Sequence, residues 1–112
     1  MDAPDAAEQM RLRLQADLRH ALKARAKFDV SILRALIAAI DNAGAVDLTS
    51  IPQHSEVARR SLSASDVREL LRREHDTRSQ AAAELIRLGL DAAASHSTLE
   101  MQFVSRYLAL LP

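Results

Sequence analysis

The sequence predicts an all-α fold: a single-domain bundle of about four main helices, with the second buried at the centre. Three observations carry that reading. Apolar residues make up 48% of the chain but aromatics only 3%, and a core of Leu, Ala, Ile and Val suits closely packed helices. Two Gly and three Pro are too few to punctuate a set of strands. Apolar residues also recur at helical spacing through most of the 112 residues, a length that supports one core and not two.

Residues 1–9 read as an acidic, flexible lead-in and residues 10–112 as the folded domain. From about Gln9 to Ala26, Met10, Leu14, Leu18, Ala21, Leu22 and Arg25 lie along one stripe of a 3.6-residue period, which predicts an amphipathic first helix. Asp29 is placed to cap a second helix from Val30 to about Ala43. There Ile32, Leu33, Leu36, Ile37 and Ile40, with Ala35, Ala38 and Ala39, cover nearly the whole circumference. A helix that is apolar all round is a buried one.

Periodicity stops between Gly44 and Ser63, a connection long enough to suggest a functional or mobile loop. Ser63 and Asp66 have capping-box spacing and open a long helix from about Ala64 to Leu88, with Gly89 as its C-cap. Ser97 and Glu100 repeat the box pattern and open a last helix reaching about Leu110.

In the third helix Val67, Leu70, Leu71, Ala81, Ala82, Leu85 and Leu88 share one face at 100° per residue. Glu74 and Arg78 fall on that same face, four residues apart in the order favoured for a helical ion pair. Arg72, Arg73 and Asp76 point to water. The apolar second helix has matching interruptions at Arg34 and Asp41, and Glu100 stands in the opening turn predicted for the last helix. Burying an unpaired charge costs several kcal/mol, on the order of 3–5, so these groups should find each other or a ligand. The expected polar cluster is Arg34, Asp41, Glu74, Arg78 and Glu100, either an inter-helix salt-bridge network or a ligand site.

Other chemistry is sparse. His20, His54, His75 and His96 share no metal-ligand spacing, and His75 lacks the second His that a zincin helix requires. There is no cysteine, and Ser61, Ser63 and Ser65 flank a helix start, where capping accounts for them. No catalytic set, metal site or cofactor is expected. The formal net charge is zero, so the whole chain presents no steering field. The first helix nonetheless carries Arg13, Arg19, Lys23 and Lys27, with His20, on its outer face; such a stripe contacts phosphates or is simply solvated. Neither a signal peptide nor a run long enough to span a bilayer is seen. The expected location is cytoplasmic and off the membrane, and the arginine- and alanine-rich composition suggests a bacterial source.

The segment "LQADLRHALKARAKFDVSILRALIAAIDNA", residues 14–43, followed by "VARRSLSASDV", "REHDTRSQAAAELIRLG" and "LEMQFVSRYL", resembles the GatB/YqeY family over residues 10–108. Arg34, Asn42, Glu74, Arg78, Glu100 and Tyr107 match that family's recurrent polar positions. The resemblance implies an all-helical N-terminal domain, commonly followed by a smaller helical tail. In the B subunit of tRNA-dependent amidotransferases the related tail helps hold tRNA. Here the chain ends at "YLALLP", so the tail is expected to be missing, and the loop after Gly44 is longer than the family's.

The function expected is a noncatalytic binding or adaptor module related to that family, working beside tRNA or a protein partner. The family's label, carbon–nitrogen ligase with glutamine as amido donor, makes an amidotransferase component the enzymatic alternative. An interaction module unrelated to tRNA is the third reading. Phe103, Val104, Tyr107, Leu108 and Leu111 of the last helix are expected to pack in the core, or partly against the missing tail or a second copy in a homodimer.

Overall fold

The computed structural model describes residues 5–45 and 61–112, which form four helices and no strand: α1 Ala6–Lys23, α2 Lys27–Ala43, α3 Ala64–Arg87 and α4 Asp91–Leu108. The all-α class is the one the composition predicts. The chain divides into two compact units, residues 1–67 and 68–112. Residues 1–4 and most of the connection between Gly44 and Ser63, with His54, lie outside the described residues.

In the first unit Asp5 caps α1: the Glu8 backbone N–H donates to Asp5 Oδ1 at 2.7 Å. Helix therefore begins inside the stretch read as a lead-in. Ala7, Met10, Leu14 and Ala21 are buried at spacings of three, four and seven, one face of a helix. The predicted stripe fails beyond Ala21, since Leu22 is 47% exposed and Arg25 is exposed as well. The reason is where the helix stops. Arg25 adopts φ +55°, its N–H donates to the Leu22 carbonyl (3.2 Å), and the Ala26 N–H donates to the Ala21 carbonyl (3.0 Å). These crossed bonds are a Schellman closure, formed here around an arginine where glycine is the usual occupant. A left-handed L-residue costs about 1–2 kcal/mol.

That closure returns the chain to helix at Lys27, earlier than predicted. Asp29, expected as the cap, instead lies in the first turn, and Ala26 at the cap position makes no side-chain bond. Asp29 still complements the positive helix terminus there. Ile32, Leu33, Leu36 and Ile40 of α2 are buried to 1% exposure or less, but Ser31, Arg34 and Ala38 are exposed. The second helix is thus open along the face made by positions 31, 34 and 38, not covered all round. Small and polar residues at that spacing leave a surface that water can meet. Arg11 Nε donates to Asp41 Oδ1 at 2.9 Å, tying the beginning of α1 to the end of α2 and fixing the two helices antiparallel.

The Ser63–Asp66 capping box forms as predicted. The Asp66 N–H donates to Ser63 Oγ (3.1 Å) and the Ser63 N–H to Asp66 Oδ2 (3.0 Å). Ser61 Oγ donates to Asp5 Oδ2 at 3.1 Å.

In the second unit Leu70, Leu71 and Ala82 of α3 are buried, whereas Ala81 and Leu88 at the edges of the predicted face are exposed. Gly89 closes α3 at φ +76°, with Gly89 N–H donating to Ile86 O (3.0 Å) and Leu90 N–H to Leu85 O (2.9 Å). This is the same Schellman arrangement as at Arg25. A Cβ at Gly89 would meet nothing within 4 Å, so glycine is favoured there by backbone conformation alone.

The reversal lets α4 resume at Asp91, six residues before the predicted start. Asp91 places an acid in the first turn and Ala92, Ala93 and Ala94 are strong helix formers. Ser97 consequently sits buried within the helix and is not a cap. Phe103, Val104 and Tyr107 are buried, with the Phe103 and Tyr107 rings 5.7 Å apart between centroids and the Arg106 guanidinium 4.7 Å over Phe103. Arg68 donates to the Pro112 carbonyl oxygen, so α3 and α4 also run antiparallel. Among the described residues no helix is long and apolar enough to cross a membrane.

Relieving the left-handed strain should show directly in stability. Arg25→Gly is expected to raise stability by about 0.5–1 kcal/mol, read as a higher urea midpoint with an unchanged slope. A lower midpoint would mean that the Arg25 side chain stabilises the fold by more than its backbone strain.

Candidate functional site

Three features deserve a place on the map of this surface: a partly buried charge cluster, a cationic elbow and an apolar hollow. The cluster lies in the second unit. The 100° spacing carries Glu74 and Arg78 onto the line between Leu71 and Ala82, and the early start of α4 brings Glu100 into its middle. Arg78 Nη1 donates to the Glu74 main-chain carbonyl at 2.9 Å and to Glu74 Oε1 at 3.4 Å. Its Nε stands 3.8 Å from Glu100 Oε2, an ion-pair distance too long for a hydrogen bond. That Nε is buried without a hydrogen-bond partner among the described residues. His96 Nε2 lies 3.9 Å from Glu100 Oε1 on the outer side.

The side chains of Arg78, Glu100 and Glu74 are 15%, 24% and 29% exposed. One guanidinium stands between two carboxylates, its Nη1 also donates to a carbonyl of its own helix, and its Nε has charge contact but no hydrogen bond among the described residues. Such an arrangement holds two helices in register. It offers no free acid–base pair, because each carboxylate faces the same cation.

Of the five residues expected to gather, Glu74, Arg78 and Glu100 do so. Asp41 is engaged by Arg11 at 2.9 Å, a partner that helical periodicity alone did not single out. Arg34 is exposed and makes no ion pair among the described residues. Asn42 is exposed and Tyr107 buried. His75 Nδ1 sits 2.9 Å from Asp76 Oδ1, and among the described residues no group of three or more His, Asp or Glu is placed to hold a metal ion.

The cationic elbow lies where α1 turns into α2. Arg19, His20, Lys23, Arg25 and Lys27 occupy nine consecutive positions that contain no acid, and all five are exposed. None makes an ion pair among the described residues, whereas Arg13, the remaining member of the predicted stripe, is bonded to Asp17 at 3.3 Å. Lys27 belongs to α2, so the basic residues wrap a turn and do not line one helix. Because the chain is neutral, everything outside this stretch is net acidic to the same extent. Arg25 was hidden from helical phase analysis, which put it on the buried stripe; the acid-free run from 19 to 27 was the signal available.

The hollow borders the start of α4. Ile86, Asp91, Ala94, Ser95, Thr98, Leu99 and Gln102 line an open space of about 500 Å³, with Ile86 61% and Leu99 54% exposed. Beside it Glu84 and Arg87 form an ion pair. The Arg87 hydrogen bond holds the Glu84 carboxyl below the usual carboxylate range, although solvent screens so exposed a pair. No family model, curated protein or solved structure matches the chain.

Arg78→Ala leaves two half-buried carboxylates facing each other and is expected to cost about 1–3 kcal/mol. Glu74→Ala should cost less, because Arg78 keeps Glu100 and the main-chain carbonyl. Urea titrations of both variants check the order. An equal or larger loss for Glu74→Ala would move the centre of the network off Arg78.

Proposed function

We propose that the chain is a noncatalytic helical binding module of the cytoplasm, related to the B subunit of tRNA-dependent amidotransferases, that works beside tRNA in a translation-linked process. The observation that carries this reading is the elbow of Arg19, Lys23, Arg25 and Lys27, exposed and unpaired among the described residues. Unpaired cations at a helix C-terminus interact favourably with the helix dipole, but Arg25 and Lys27 lie past the end of α1 and gain little from it. A surface that concentrates positive charge in a neutral chain favours a polyanionic partner.

The Arg78 cluster supports the noncatalytic part of the proposal. Its single guanidinium is shared by two carboxylates at the contact between α3 and α4. An amidotransfer reaction needs a nucleophile and an activated acyl group, and the cluster supplies neither.

Fluorescence anisotropy with labelled tRNA at about 50 and 200 mM salt tests the reading. Binding that weakens by at least tenfold between the two is expected for three to four phosphate contacts. Absence of binding at the lower salt overturns the tRNA reading and leaves the hollow at Ile86 and Leu99 as the surface to explain.

A further inference from the structure

We infer that Arg25 is the principal contact of the elbow, and that its ligand is the phosphate backbone of a double-helical nucleic acid, gripped without base readout. The inference rests on the tRNA reading above and deepens it by naming the contact and the form of the ligand.

Two reversals in this chain use the same crossed backbone bonds, one around Gly89 and one around Arg25. Both central residues have positive φ. Glycine takes that conformation freely; arginine takes it with strain. Strain of this kind persists where something outside the local backbone favours the residue. Nothing among the described residues does so here. The Arg25 side chain is exposed, and it makes no hydrogen bond or ion pair among the described residues. The guanidinium is therefore free for a ligand, and its planar fork suits two phosphate oxygens at once.

The neighbours fit an extended anion and not a single one. Arg19 and Lys23 are one helical turn apart, about 6 Å along α1, while Lys27 opens the next helix on the other side of Arg25. Asp17 and Asp29 bound the stretch, and Asp17 is bonded to Arg13.

The remaining surface selects among polyanions. Phe28, which follows the elbow directly in the chain, is half-buried, which leaves little of its face for stacking unpaired bases. Leu22 is the only large apolar side chain exposed within the stretch, too little for insertion at a bilayer surface. A duplex presents its phosphates outward and asks for neither.

The test is anisotropy with a labelled RNA duplex across a salt series, using wild type, Arg25→Gly, Arg25→Lys and Lys23→Gln. Wild type is expected to bind with a log–log salt slope of about −3 to −4. Arg25→Gly should bind at least tenfold more weakly with a slope shallower by about 1, although it is the more stable protein in urea. Arg25→Lys should fall between the two, and Lys23→Gln should lose less than Arg25→Gly. Arg25→Gly binding within twofold of wild type, or a Lys23→Gln loss as large as that of Arg25→Gly, overturns Arg25 as principal contact. Tighter binding to single-stranded RNA of equal length, or to phosphatidylserine vesicles, overturns the duplex assignment. If wild type binds neither duplex nor tRNA, the underlying function fails as well; if it binds tRNA and Arg25→Gly binds equally, only this inference fails.

Discussion

Turning a helix back on itself within three residues requires one residue with positive φ, and much of this structure depends on meeting that requirement twice. The crossed bonds at Arg25 and Gly89 satisfy carbonyls that would otherwise be orphaned at helix ends. They also set where the next helix begins. Because α1 stops at Lys23, α2 starts at Lys27; because α3 stops at Arg87, α4 starts at Asp91. Both successors lack a side-chain cap, which means that the reversal, not the capping residue, fixes their first turn. The positions of Asp41 opposite Arg11 and of Glu100 opposite Arg78 follow from those starts.

The interior treats charge differently from the surface. Arg78 reaches the apolar face of α3 because it is flanked by acids on its own helix and on α4, and the ion pairs there offset desolvation. At the elbow the same residue type has no partner among the described residues and stays in water. Arginine thus has two roles in one chain, separated by whether an acid stands within reach.

Where the fold could be read from the sequence, a local chemical rule was at work. The Ser63–Asp66 box and the Gly89 cap are statements about three or four adjacent residues, and the hydrogen bonds there are the ones the spacing implies. Helical phase likewise placed Glu74 and Arg78 on the inner face of α3. The Arg25 reversal was illegible because an arginine gives no hint of a left-handed backbone. The start of α4 was misplaced because Ser97 and Glu100 imitate a capping box inside a helix. The Arg11–Asp41 pair joins residues 30 apart, and periodicity within one helix says nothing about the register between two. Of the expected polar cluster, Glu74, Arg78 and Glu100 come together while Asp41 turns to Arg11 and Arg34 stays exposed; phase within α3 sets only the Glu74–Arg78 pair, and the other placements depend on register between helices.

Both reversals join helices that are consecutive in the chain, and that has a consequence for how the protein is made. Ion pairing between α1 and α2 closes over 30 residues, and the Arg78–Glu100 link spans fewer. Contacts between sequence neighbours form quickly, since little loop-closure entropy opposes them. A chain made at roughly 5–20 residues per second releases all of α1 and α2 from the ribosome while α3 and α4 are still being completed. The first pair of helices can therefore dock while the second is still being translated, so the order of synthesis and the order of assembly coincide.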